Sequence, residues 1–116
     1  MYKGLAFIAY SVKDVPGAIK FYRDVVGLTP GDMFTDFWAE FDVGESTFGI
    51  GNGESIGIKA GSQGSAAFEV DDVDAEHDRL KKLGVEIGDV FDNPMCRACF
   101  VTDPEGNRFA LHQRKS

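Results

Sequence analysis

Three side chains of this chain have the right types for acid–base chemistry: Glu40, Glu69 and His112. A carboxyl group withdrawn from water has its pKa raised toward neutrality and becomes a usable base, and imidazole exchanges protons in the physiological range. Each also has a plainer reading. The glutamates suit solvated positions or pairs with Arg97 or Arg108, and His112 suits a hydrogen-bonded strand end. Two carboxylates and an imidazole are acceptable metal ligands, but their spacing carries no metal-site signature. Cys96 and Cys99 form a CxxC that falls in a predicted strand. Residues three apart on a strand face opposite sides, so a bridge is awkward, and no second ligand pair is present for zinc. His77 belongs to a helical stripe and reads as structural. Gly49-Ile50-Gly51-Asn52-Gly53 is glycine-rich, yet no helix pattern or Lys-Ser/Thr follows, so it is no phosphate cradle. No Ser or Cys can be placed beside a histidine as an activated nucleophile.

The 116 residues predict a single domain with room for one core. A hydrophobic fraction of 43% and a charged fraction of 27% are those of an ordinary soluble protein. The net charge of −7 argues against a nucleic-acid partner, which needs a basic surface, and favours neutral or cationic ligands. The apolar run from Leu5 to Tyr10 is too short for a secretory core or a membrane span, so the expected location is cytoplasmic.

The elements come in a repeated order. A strand over 7–12 precedes Asp14, a helix N-cap, and Val15, Ala18, Ile19, Tyr22 and Val26 then recur at helical spacing until Gly27. Strands follow over 37–43 and 47–50, around Gly44, and then a loose glycine-punctuated connector with at most a short strand over 56–59. The order restarts with a strand over 66–70 and a helix capped by Asp72, with Val73, His77, Leu80 and Leu83 as its buried stripe and Gly84 as its stop. Strands over 85–91 and 97–102 lead to Asp103-Pro104-Glu105-Gly106-Asn107. There Asp103 can bond its own backbone two residues on, Gly106 supplies a positive φ, and a last strand runs from Arg108. Asp14 and Asp72 lie 58 residues apart, and Phe48 and Phe109 lie 61 apart. The expected fold is therefore α+β: two βαβββ modules, about 1–60 and about 61–116, forming a half-open, cup-shaped mixed sheet with helices on its outer face.

The motifs of both modules carry a family likeness: Val12-Lys13-Asp14-Val15, Phe21-Tyr22-Arg23-Asp24-Val25-Val26-Gly27-Leu28, Ala67-Phe68-Glu69-Val70-Asp71-Asp72-Val73 and Asp103-Pro104-Glu105-Gly106-Asn107. The chain resembles the vicinal oxygen chelate superfamily, which includes glyoxalase I, extradiol dioxygenases, fosfomycin-resistance enzymes and bleomycin-resistance proteins. Enzymes of that family hold a divalent metal with His, Glu or Gln side chains. The resemblance puts those positions at Phe7, Gly49, Ser65 and Ala110. Three of these offer no donor, and a lone serine hydroxyl is a poor ligand, so neither a metal nor any other cofactor is expected. The resemblance also implies a homodimer.

Alternation along the strands sends Phe7, Ala9 and Ser11 into the cup, with Ser65, Ala67 and Glu69, and with Arg108, Ala110 and His112. Applying the repeat puts Phe37, Ala39, Phe41, Ala98 and Phe100 toward the helices, and Trp38, Glu40, Arg97, Cys99 and Val101 in the cup. The result is a chamber with a small-residue floor (Ala9, Gly49, Ala67, Ala110), aromatic walls (Phe7, Trp38) and sparse polar points, suited to a small molecule. The function this implies resembles that of the family's antibiotic-sequestering members: metal-free binding of a hydrophobic or cationic compound. The enzyme alternative is a lyase, isomerase or dioxygenase working through a displaced metal or through Glu40, Glu69 or His112. A third reading is an interaction module whose cup is filled by Trp38 packing against Phe7.

Overall fold

The computed structural model describes residues 1–115, with Met33 as backbone alone. The chain is α+β and divides into two compact units, Met1–Ser62 and Gln63–Ser116. Among the described residues, no helix is long and apolar enough to cross a membrane.

In the first unit, β1 (Ile8–Ser11) leads into α1 (Val15–Lys20), followed by β2 (Thr29–Phe34), β3 (Trp38–Val43) and β4 (Ser46–Gly51). The sheet order is β1-β4-β3-β2, with β1 and β4 parallel and the other pairs antiparallel. Asp14 caps α1 by accepting from the Gly17 N–H at 3.0 Å, and Pro16 sits harmlessly in the first turn. Beyond Lys20 the helix does not keep its pitch. Residues Phe21–Val26 wind as a π-helix that ends at Gly27, where φ is 94°. The wider winding turns both Phe21 and Tyr22 inward, adjacent as they are in sequence. Tyr22 packs on Phe41 and Phe48 of the sheet, with Tyr10, Ala39 and Ile50 buried on the same side.

The second unit repeats this order: β5 (Ala66–Glu69), α2 (Val73–Lys82), β6 (Glu86–Ile87), β7 (Phe91–Asp92), β8 (Cys96–Thr102) and β9 (Arg108–Arg114). Its sheet runs β5-β9-β8-β6, with β7 also paired to β8. Asp72 caps α2 through the Ala75 N–H, and Gly84 follows the helix at φ 81°. Ile8 stands opposite Phe48 as Ala66 stands opposite Phe109, so the first and last strands of the two units align at the spacings read from the sequence.

Four expectations need correction. Thr29–Phe34 is a strand, although the sequence reading places no element between Gly27 and Phe37. It pairs with β3 alone at the end of the sheet order, with an irregular register, and proline is tolerated at such an edge. The run 85–91 is not continuous but two short pairings with β8. The short strand allowed over 56–59 does not form; a single 3₁₀ turn over Glu54–Ile56 leads into that stretch instead. Leu83 is not in the buried stripe of α2; it sits at the C-cap, past the last turn, and is exposed.

The fifth correction changes a face. Cys99 stands opposite Leu111 and Val101 opposite Phe109, and all four are buried on the α2 side. Arg97 is on that side too, and its guanidinium donates to Asp74 of α2 at 2.8 and 3.1 Å. Ala98 and Phe100 therefore take the opposite, open face, in register with His112 and Ala110. The cause is turn length. Phe41 pairs with Phe48 across the first hairpin and Val101 with Phe109 across the second, so the second pair encloses one residue more, 102–108 against 42–47. A one-residue slip exchanges the two faces of a strand.

Both cysteines are free. Burial, aided by the Asp74 charge, pushes the Cys99 thiol up to about 11, whereas Cys96 is partly accessible. Because the thiolate is the reacting species, a maleimide near about pH 8 is expected to label one thiol per chain at once and the second at least about a hundredfold more slowly. Peptide mapping should find the fast adduct on Cys96, and two fast thiols would contradict the buried placement.

Candidate functional site

The site in the first unit is built on glycines. On the face of the sheet away from α1, β4 carries Gly49 and Gly51, flanked in register by Ala9 and Ser11 on β1 and by Glu40 and Trp38 on β3. The absence of side chains on β4 lets the Trp38 indole lie along the strand. A Cβ at Gly51 would stand 2.5 Å from Trp38 Cε3, and one at Gly49 would stand 2.7 Å from Trp38 Cη2. Trp38 Nε1–H donates to Glu40 Oε2 at 2.8 Å, which fixes the indole from the side. Phe7 meets it edge-on, with ring centroids 5.2 Å apart.

Ser11 supplies the opposite wall. Its hydroxyl donates to the Ile58 carbonyl at 2.9 Å and accepts from the Gly53 N–H at 3.0 Å, while its own carbonyl accepts from Gly61 N–H. These bonds hold the segment after β4 against β1 and bring Ile56 and Ile58 to the rim, both solvent-exposed. Between this segment and the indole is a pocket of about 250 Å³, lined chiefly by Phe7, Ala9, Trp38, Gly51, Ile56 and Ile58. The volume is just below the roughly 300 Å³ at which small-molecule sites begin, so it fits one ring system or one end of a longer ligand. The Phe7–Trp38 contact is the one a filled cup would show, but the pocket stands open beside it.

Of the residues expected in the chamber, Phe7, Ala9 and Trp38 line this pocket; Glu40 anchors the indole; Gly49 is buried under it. Phe37, expected toward the helices, is exposed just before β3 and lines the pocket instead, and Ile56 and Ile58 were not anticipated. The signal for them was two apolar side chains around Gly57 in an otherwise polar, glycine-rich connector.

In the second unit, Ala67 pairs with Ala110 and Glu69 with His112 on the open face. Ser65, just before β5, is exposed. Arg108 lies over the Phe100 ring, 4.5 Å from its centroid. His112 Nδ1 is 2.6 Å from Glu69 Oε1, and Glu69 Oε2 accepts from the Arg114 N–H at 2.7 Å. These bonds, the backbone one foremost, hold the Glu69 carboxyl below its ordinary pKa. A dry base with a raised pKa, the role expected of it in an enzyme, is thus not what Glu69 is: it is half-exposed and stabilised as the anion. Arg97 and Cys99 face α2 and leave the expected chamber for the reason of register given above. Among the described residues, no three of His, Cys, Asp and Glu are gathered so as to hold a metal ion.

Solved structures share this fold across nearly the whole chain. An antibiotic binding protein, TnmS3 from Streptomyces sp. CB03234, is 24% identical with a TM-score of 0.86, and 98% of each chain is covered. A lactoylglutathione lyase from Agrobacterium tumefaciens is 23% identical with a TM-score of 0.79, covering 97% of this chain and 94% of its own. The fosfomycin resistance protein FosX from Listeria monocytogenes is 23% identical with a TM-score of 0.73, at the same coverages. Their functions differ, and a likeness at this identity speaks for the fold alone. The sequence profile of one family matches residues 4–111, and the chain belongs to it: the Glyoxalase/Bleomycin resistance protein/Dioxygenase superfamily.

Proposed function

We propose that this protein binds a small, flat hydrophobic or cationic molecule in the cytoplasm, without a catalytic metal or other cofactor, and does so as a homodimer. The observation that carries the reading is Trp38. Its indole occupies the Gly49 and Gly51 surface and presents an aromatic wall to a pocket that is otherwise apolar. Glu40 at the indole edge adds a negative charge suited to a cationic group on the ligand. The four positions that the family likeness assigns to metal ligands are Phe7, Gly49, Ser65 and Ala110, which together provide a single hydroxyl. The resemblance in fold to a protein named as antibiotic-binding is in keeping with this.

Trp38 is the only tryptophan, so its emission reports on the pocket directly. Titration with a panel of planar aromatic and amine-bearing compounds is expected to give a saturable change for at least one of them, with the same affinity before and after a chelator wash. Binding that disappears with the chelator would overturn the metal-free reading. A second reading, metal-free catalysis, draws on the oriented Glu69–His112 pair. It requires product beyond one equivalent, lost in Glu69→Gln or in Glu40→Gln.

A further inference from the structure

We propose that the pocket at the end of β9, wholly within the second unit, binds a carboxylate-bearing small molecule, with the Arg114 guanidinium as its principal donor. The pocket measures about 460 Å³ and is lined by Pro94, Met95, His112, Arg114 and Lys115. Its walls are held by the backbone. Arg114 pairs with Cys96 and gives its N–H to Glu69, and the Lys115 N–H donates to the Met95 carbonyl. Asn93 Oδ1 fixes the facing turn by accepting from the N–H groups of Met95 and Cys96.

The charge pattern singles out Arg114. The chain has 19 acidic and 12 basic residues, so carboxylates are in surplus for every arginine. Arg23 takes Asp24, Arg79 takes Glu76, Arg97 takes Asp74, and Arg108 lies over Phe100. Lys115, the other cation of the pocket, is tied to Asp92 at 2.7 Å. The Arg114 guanidinium forms no ion pair or hydrogen bond with any other described residue. Its charge reaches Glu69 only through space, and both oxygens of Glu69 are already engaged, by His112 and by the Arg114 N–H.

The ligand class follows from the count of charges and from the shape. Glu69 offsets Arg114 and Asp92 offsets Lys115, so the pocket offers unused guanidinium N–H donors without a large net positive charge. A planar carboxylate matches that fork through two parallel hydrogen bonds, and in these neutral surroundings it brings half the uncompensated charge of a phosphate dianion. Pro94 and Met95 add apolar surface for a short carbon body beside the carboxylate.

The test is an amide chemical-shift titration of the intact protein with sodium isobutyrate, against sodium chloride and inorganic phosphate at matched ionic strength. Saturable shifts are expected at Met95, Arg114 and Lys115, with affinity falling about tenfold in Arg114→Gln and by less in Arg114→Lys, which keeps the charge but loses the fork. Both variants keep the residue-114 N–H that Glu69 accepts, and unchanged shifts elsewhere verify the fold. Non-saturable shifts, equal shifts with chloride, or undiminished affinity in Arg114→Gln would each overturn the site. Tighter saturation by phosphate than by isobutyrate would overturn the carboxylate assignment.

Discussion

Replacing Asp103 with alanine is expected to lower unfolding stability by about 4 kcal/mol, a large part of what a small domain possesses. Asp103 and Asn107 are almost fully buried at the turn between β8 and β9, at 4% and 0% exposure. Asp103 Oδ1 accepts from the N–H groups of Glu105 and Asn107, both at 2.9 Å, and Oδ2 accepts from Asn107 Nδ2 at 3.0 Å. Asn107 passes the constraint on, because its Oδ1 accepts from the Gln63 N–H at the start of the unit. Alanine strands these donors where water cannot easily replace the carboxylate, and that desolvation cost, more than the lost bonds, sets the size of the effect. Asp103→Asn keeps one acceptor but turns an amide toward Asn107 Nδ2, so roughly half the loss is expected. Urea denaturation decides the matter; a change below about 1 kcal/mol in the alanine variant would show that the turn is held by something else.

Gly51→Ala is expected to move the Trp38 emission toward that of a solvent-exposed indole while leaving the fold intact. The added Cβ would lie 2.5 Å from Trp38 Cε3 and 3.0 Å from the Phe37 carbonyl oxygen. The backbone oxygen belongs to the chain and cannot swing aside, so the indole is the part that yields. It loses its bed and its bond to Glu40 together. The stability cost is that of overpacking, about 1–3 kcal/mol, and any ligand stacked on Trp38 should bind at least about tenfold more weakly. Gly88→Ala is the control: the nearest heavy atom to its Cβ is the Phe100 carbonyl oxygen at 3.9 Å, an ordinary contact, and little change is expected. Emission unchanged in Gly51→Ala would mean that Trp38 does not rest where its ring contacts place it.

Much of the scaffold was legible because local chemistry and global pattern agree. Asp14, Asp72, Gly27 and Gly84 act at the helix ends their positions imply, and Asp103 makes the turn bond expected of it. Where the sequence misled, two rules competed. In β2, Pro30 and Gly31 are turn residues, but an edge strand needs fewer ladder bonds and admits them. In β8 the alternation Arg97, Cys99, Val101 against Ala98, Phe100 is nearly neutral in hydrophobicity, so the face was taken from the repeat, and one residue in a turn reversed it. The pocket in the first unit was half legible: its aromatic wall was named, but Ile56 and Ile58 depend on Ser11 bonding across 42 and 47 residues of sequence, which no local pattern encodes.

The way Trp38 lies on β4 also constrains what can be built on this face of the sheet. A histidine or glutamate introduced at Gly49 would bring its first carbon 2.7 Å from the far edge of the indole, so it displaces the tryptophan as alanine at Gly51 does. A donor at that position is therefore gained at the expense of the aromatic wall. An aromatic platform and a side-chain ligand at Gly49 compete for the same surface, and this sheet face can serve one of them at a time.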